Sequence, residues 1–343
     1  MGRKLLLGIA TFALLFGVAG RSLHAHAQSG GFALQVTPSP IVETIEPGTT
    51  KTVELKIRNQ NTQSETLKMG LRAFTINSST GEVELKNDEP QDVVGWVSFA
   101  NPVFTVSAGE WYTQKITFAV PANAGFTYSF AITISRNAPT KEQGGKTSIE
   151  GSVAVFALLS TNRPDALRKL EIASFSSKKK VYDYLPASFT LQLKNSGNTI
   201  IQPGGNIYIQ RTSNSAAPLA TMPVNEKSAY ILPNVTRSMQ AEWSAGFPVY
   251  KTVDAQTGKK KLTWDWSTLQ NFRIGHYVAK AVVIYNDGNR DVPTQAEIDF
   301  WVIPWKIISI AVVALGLVTV GIVTIVRKTM RVARKKHVDA PKA

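Results

Sequence analysis

The sequence predicts an all-β protein: two tandem immunoglobulin-like β-sandwiches followed by one transmembrane helix. Three observations carry this. Apolar residues recur at every second position through most of the middle of the chain. No long segment there carries a helical stripe, so a βαβ architecture is disfavoured. Residues 307–326 form an uncharged, apolar run of 20 residues. At about 1.5 Å per residue such a helix spans about 30 Å, the thickness of a bilayer core.

The N-terminus reads as a signal peptide over 1–27. Gly2-Arg3-Lys4 is its positive start, Leu5 to Gly20 its apolar core and Ala25-His26-Ala27 its cleavage site, leaving Gln28 first. Strands are predicted at Thr52–Arg58, Lys68–Ile76, Trp111–Val120, Tyr128–Ser135 and Ser148–Leu159. Asn77 to Gly81 is a turn before Glu82–Leu85. Pro38, Pro40 and Pro47 suit an edge strand or its flanks. These elements make a first domain over 31–161.

Thr161-Asn162-Arg163-Pro164 is a break, and a second domain follows over 165–303. Leu170–Ser174 opens it, Lys178-Lys179-Lys180 reads as a solvated turn, and Ser188–Leu193 alternates before Asn195. The first domain has the same pattern, with Val53 to Ile57 alternating before Asn59. Gly204-Gly205 reads as a turn, as does Asn286-Asp287-Gly288. Near the end of each domain a glycine precedes a tyrosine that opens a strand, at Gly125/Tyr128 and Gly275/Tyr277. This resembles the tyrosine corner of immunoglobulin-like sandwiches. Both domains exceed the usual hundred residues or so, which implies long loops or an extra hairpin. Asp299–Ile303 is the final strand, ended by Pro304.

The helix is predicted over 306–326 and a basic cytoplasmic tail over 327–343. Trp301, Trp305 and Lys306 are expected at headgroup depth, the indoles amphipathic and the lysine snorkelling. Arg327, Lys328, Arg331, Arg334, Lys335 and Lys336 mark the cytoplasmic side. The chain holds 38 Lys+Arg against 24 Asp+Glu, a net charge of +14. Most of that excess sits in the signal segment and the tail, so it reports topology and not nucleic-acid binding.

The chain contains no cysteine, which removes thiol catalysis, Cys-ligated zinc and disulfides. After Gln28 the outer region has one histidine, His276, too few for a typical structural zinc site. There is no G-x-S-x-G elbow and no glycine-rich phosphate loop. Asp287-Gly288-Asn289-Arg290-Asp291 lacks EF-hand spacing. No cofactor and no catalytic residue is therefore assigned. Trp264 and Trp266 would share one face of a strand. They read either as core, the expected outcome for at least one of the rings, or as an aromatic platform for a glycan or partner chain.

Phe32 to Pro38, Glu46-Pro47-Gly48-Thr49 and the strand end Ile57 to Asn61 resemble the first domain of WxL-interacting surface proteins of Gram-positive bacteria. The overall layout resembles that family too. The resemblance implies peptidoglycan binding and capture of WxL-type surface proteins. Leu193 to Asn198, Pro203-Gly204-Gly205, Ile231-Leu232-Pro233 and Phe300 to Trp305 are more similar to uncharacterised membrane-anchored proteins of small-genome, uncultured bacteria. The resulting expectation is a non-enzymatic, membrane-anchored surface module. Its partners would be membrane lipid and a surface protein or cell-wall glycan. The alternatives are a scaffold within a membrane complex and, less favoured, an envelope carbohydrate-active enzyme.

Overall fold

The computed structural model describes residues 32–77, 81–137, 151–213, 215, 217–254 and 256–338, with side chains to 330. The signal segment 1–27, turn residues 78–80, residues 148–150 of the predicted strand Ser148–Leu159, and the side chains of Arg331, Arg334, Lys335 and Lys336 lie outside them. The described chain is predominantly β-strand and ends in one long helix.

The first half folds as two facing sheets. One contains β1 (Leu34–Thr37), β3 (Thr50–Asn59), β9 (Trp111–Ala119) and β7 (Val97–Phe99), in that order. The other runs β2 (Ile41–Ile45), β11 (Ser152–Thr161), β10 (Thr127–Arg136), β4 (Glu65–Arg72), β8 (Val103–Val106). The chain changes sheets between β1 and β2, across Pro38-Ser39-Pro40, where prolines supply no ladder donor. β2 then pairs in parallel with the end of β11. The alternation of β3 puts Leu55 and Ile57 inward, against Ile116, Phe118, Phe130 and Ile132. The predicted strand Lys68–Ile76 is broken at Ala73, and its second part, β5 (Phe74–Ile76), forms a separate hairpin with β6 (Val83–Leu85).

The second half repeats this scheme, except that its first sheet lacks a counterpart of β7. β12 (Leu170–Ser177), β14 (Ala187–Asn195) and β17 (Thr236–Trp243) make one sheet. The other runs β13 (Val181–Tyr182), β21 (Asp291–Val302), β20 (Gly275–Asn286), β15 (Gly204–Gln210), β16 (Ala220–Pro223). Again the second strand leaves the first sheet and pairs in parallel with the last strand, β13 with β21. A separate core forms here around Phe189, Trp243, Tyr277 and Phe300. The extra hairpin is β18 (Val249–Asp254) with β19 (Lys259–Thr263).

Both tyrosine corners share a geometry. Gly125 N–H donates to the Tyr128 hydroxyl at 2.7 Å, and the Tyr277 hydroxyl donates to Ile274 O at 3.4 Å. Each hydroxyl meets the backbone three residues upstream. The turn at Asp287 forms as expected, with its Oδ1 accepting from the N–H of Asn289 and of Arg290. Lys178, Lys179 and Lys180 are exposed.

Gly204-Gly205 is not a turn: the pair opens strand β15. Gly205 lies at φ +123, and a Cβ there would meet Val282 O on β20 at 2.1 Å. The glycine lets two strands approach, a requirement set by a residue far along the chain. The helix α1 (Trp305–Val338) starts one residue earlier than predicted and runs unbroken into the basic tail. Its segment Trp305–Met330 is long and apolar enough to cross a membrane.

Candidate functional site

Two features of the fold offer binding surface. The first is a backbone edge. β11 pairs with β10 along Ser152–Ser160, but β2 covers its other side only over Ala157–Thr161. Among the described residues, nothing pairs with that side over Ser152–Phe156. These five residues, Ser-Val-Ala-Val-Phe, are uncharged, free of proline and rich in strand formers.

Many of the other described edges carry devices that discourage pairing, although β9 is likewise left open over Trp111–Gln114 beyond its pairing with β7. β1, β8 and β16 are short and abut or contain Pro38, Pro102 and Pro223. β2, β7 and β13 are short as well, and β12 is bulged between Ile172 and Ser174. β17 carries Arg237 and Glu242. β21, the counterpart of β11, is open above its pairing with β13 but holds Pro293, Glu297 and Asp299. The free half of β11, itself five residues long, has no proline, charge or bulge.

The second feature is aromatic. Residues 244–274 connect β17 to β20 and carry the β18–β19 hairpin, then a short 3-10 turn over Trp266–Asn271. Asp265 caps that turn, its Oδ1 accepting from Ser267 N at 3.2 Å and from Ser267 Oγ at 2.6 Å. These bonds to the charged carboxylate hold the Asp265 pKa below its ordinary value. Trp264 and Trp266 therefore do not sit on a strand, and neither is core. Trp264 is 45% exposed and Trp266 68%. Their rings lie 6.1 Å apart at 33°, both resting on the buried Phe247, at 5.7 and 5.2 Å. The Asp-x-Ser signature of an N-cap at Asp265 was readable in the sequence and competes with the strand reading. The tryptophan of this region that does enter the core is Trp243, packed against Tyr277 at 5.1 Å and Phe300 at 6.1 Å.

The expected interface residues cluster at one end. Trp301 and Trp305 are exposed, and Lys306 lies 5.6 Å from the Trp305 ring. His276 pairs across strands with Trp301, its ring 5.0 Å away, and its Nε2 is 3.0 Å from Asp299 Oδ1. Arg327 and Lys328 lie on the same helix, just past its apolar stretch. Among the described residues, no three His, Asp or Glu side chains are grouped to hold a metal. An open groove of about 690 Å³, lined by Lys178, Phe189, Met222, Glu226 and Glu242 among others, has no counterpart in the sequence reading.

No protein-family model matches the chain, and no curated protein does. Among solved structures, the chain is similar to the class 5 fimbriae chaperone CfaA, at 12% identity and a TM-score of 0.36 over 77% of this chain and 98% of that one. The Escherichia coli chaperone DraB aligns at 10% identity and 0.36, over 78% and 97%. The Pseudomonas aeruginosa CupB2 chaperone aligns at 9% identity and 0.34, over 77% and 100%.

Proposed function

We propose that this chain is a non-enzymatic, single-pass surface protein that binds another envelope protein by strand addition at Ser152–Phe156 of β11. One observation carries the reading: among the described residues this half-edge is neutral, free of proline and unpaired, whereas the equivalent open strand β21 is guarded by Pro293, Glu297 and Asp299. An added strand would satisfy backbone donors and acceptors along the edge and seat alternate side chains beside Val153 and Val155. The signal-like start and the basic flank after Val326 support an outward-facing pair of sandwiches above a cytoplasmic tail. The resemblance to WxL-interacting proteins supports a surface protein as the partner class, with cell-wall glycan as the other.

The chain has no cysteine, so single cysteines can be placed and labelled selectively. A photocrosslinker on Ala154→Cys in the full chain on cells should yield one discrete protein adduct. The same label on Thr294→Cys, along the guarded β21 edge, should not. Equal adducts from both positions, or an adduct with glycan alone, would overturn the assignment. Unchanged melting of both variants ensures that folding does not decide the result.

A further inference from the structure

The segment 244–274 lies at the end of the second sandwich from which the membrane helix departs. Gly275 pairs with Val302 and His276 with Trp301, and the helix starts at Trp305. Tyr182 also pairs with Val302, and Leu185, three residues further on, bridges to Val249 at the start of the β18–β19 hairpin. Phe247 bridges to Phe272. Only Ile303 and Pro304 separate β21 from the helix, and two residues reach at most about 7 Å. Whatever depth Trp305 takes, this end of the sandwich must lie beside it.

That same end exposes an apolar cluster: Trp264, Trp266, Leu269, Phe272 and Ile274. Large contiguous apolar patches in water mark interaction surfaces. The turn is held by Asp265, and Phe247 packs under both indoles, so the rings are presented and not merely loose. Lys178, Lys179 and Lys180 lie at the same end, where Lys180 O accepts from Trp301 N at 2.8 Å. Lys259, Lys260 and Lys261 on the neighbouring hairpin and Arg273 add further positive charge, against Asp183, Asp254, Asp265, Asp299 and Glu242, which pairs with Lys260 at 3.5 Å. Amphipathic indoles flanked by excess basic charge match the chemistry of a bilayer interface with anionic headgroups.

We infer that the Trp264–Ile274 segment is a second membrane contact that inserts into the outer headgroup region. The ectodomain then stands on two points, the helix and this aromatic turn, which prevents it from swivelling about Pro304. Continuity with the helix selects lipid over a glycan or a protein as the occupant, because the patch faces the surface to which the chain is tethered. The inference rests on α1 spanning the membrane and is independent of what β11 binds.

The test uses the full chain in nanodiscs of phosphatidylcholine and phosphatidylglycerol. An environment-sensitive fluorophore is placed in turn on Trp266→Cys, Leu269→Cys, Trp305→Cys and Asn289→Cys. Asn289 is exposed in the hairpin between β20 and β21, at the opposite end. Brominated lipid should quench the 266 and 269 labels as it does the 305 label. Aqueous iodide should quench them several-fold less than the 289 label. Free iodide access at 266 and 269 with 305 shielded overturns the second contact while leaving the anchor intact. Iodide access at 305 overturns both. Shielding of 266 and 269 from both quenchers means that another copy of the chain covers the patch, and it also overturns the inference.

Discussion

Trp243 and Trp266 carry the same side chain into opposite surroundings, and their replacement should separate cleanly. Trp243 is almost fully buried among Tyr277 and Phe300, and its Nε1 has no partner among the described residues, so it contributes by packing. Trp243→Ala should cost about 3–5 kcal/mol, the usual price of emptying a large aromatic site. Trp266→Ala should leave the melting temperature nearly unchanged. Melting curves of both variants check this, and a large loss for Trp266→Ala would place that ring in the core after all. A second residue is oddly placed. Gln114 of β9 is fully buried opposite Leu55, and neither atom of its amide meets a hydrogen-bond partner among the described residues. An unpaired buried amide costs about 1–3 kcal/mol, while methionine has similar volume and no such demand. Gln114→Met should therefore raise the denaturation midpoint. A lower midpoint would mean that the amide is satisfied after all.

At the scale of elements, the internal repeat rests on two asparagines. Asn59 ends β3 and Asn195 ends β14, and both are fully buried. Asn59 Nδ2 donates to Gln63 O and Val106 O, while its Oδ1 accepts from Asn61 N. Asn195 Nδ2 donates to Thr199 O and Ile231 O, while its Oδ1 accepts from Gly197 N. The same side chain closes the same turn and ties it to a distant segment in each sandwich. Asn195→Ala would orphan Thr199 O and Gly197 N–H, while Ile231 O keeps its bond from Ile201 N, so a loss of at least about 2 kcal/mol is expected in denaturant unfolding. The strand ending in asparagine was legible in sequence, since alternation stops there. The tie was not, because Val106 and Ile231 are unmarked by any motif. Gly205 was misread for the same reason: its constraint comes from Val282, on another strand.

Glu65 and Arg136 link β4 to β10 through two bonds, Nε to Oε2 at 2.9 Å and Nη2 to Oε1 at 2.7 Å. The Arg136 guanidinium holds the Glu65 pKa below its ordinary value of 4.5. A depressed carboxylate stabilises the fold above its unfolded pKa, and that stability is lost as pH falls through the folded pKa. The wild type should thus exceed Glu65→Gln in melting temperature at neutral pH. The difference should shrink on acidification below pH 4.5, where a pH series of melting curves would detect it. A constant difference would exclude titration of this pair as its source.

At the scale of the whole molecule, the sequence carried the architecture further than the surface. Period-two alternation, the repeated strand–asparagine pattern and the apolar run after Lys306 each describe local physics, and each element formed. The parallel pairings of β2 with β11 and β13 with β21 are long-range, and so is the half-open β11 edge they leave. No local pattern encodes them. The exposure of Trp264 and Trp266 was equally hidden, because Asp265 turns the chain where alternation suggested a strand.

Topology supplies the last prediction. Lys306 alone flanks the helix on the sandwich side, whereas Arg327, Lys328, Arg331, Arg334, Lys335 and Lys336 follow it. Short flanks rich in Lys and Arg remain cytoplasmic, because the translocation machinery retains them. The sandwiches would then face outward, the side that a signal-like start also selects. Protease added to intact cells, or to protoplasts where a wall blocks access, should digest residues 32–303 and spare a fragment beginning near Trp305. Dense pairing will slow that cleavage, so the first cuts are expected in connections and not in strands. A C-terminal tag should stay protected until the membrane is permeabilised. Protection of the sandwiches with loss of the tag would reverse the orientation, and the β11 edge would then face the cytoplasm and not an envelope partner.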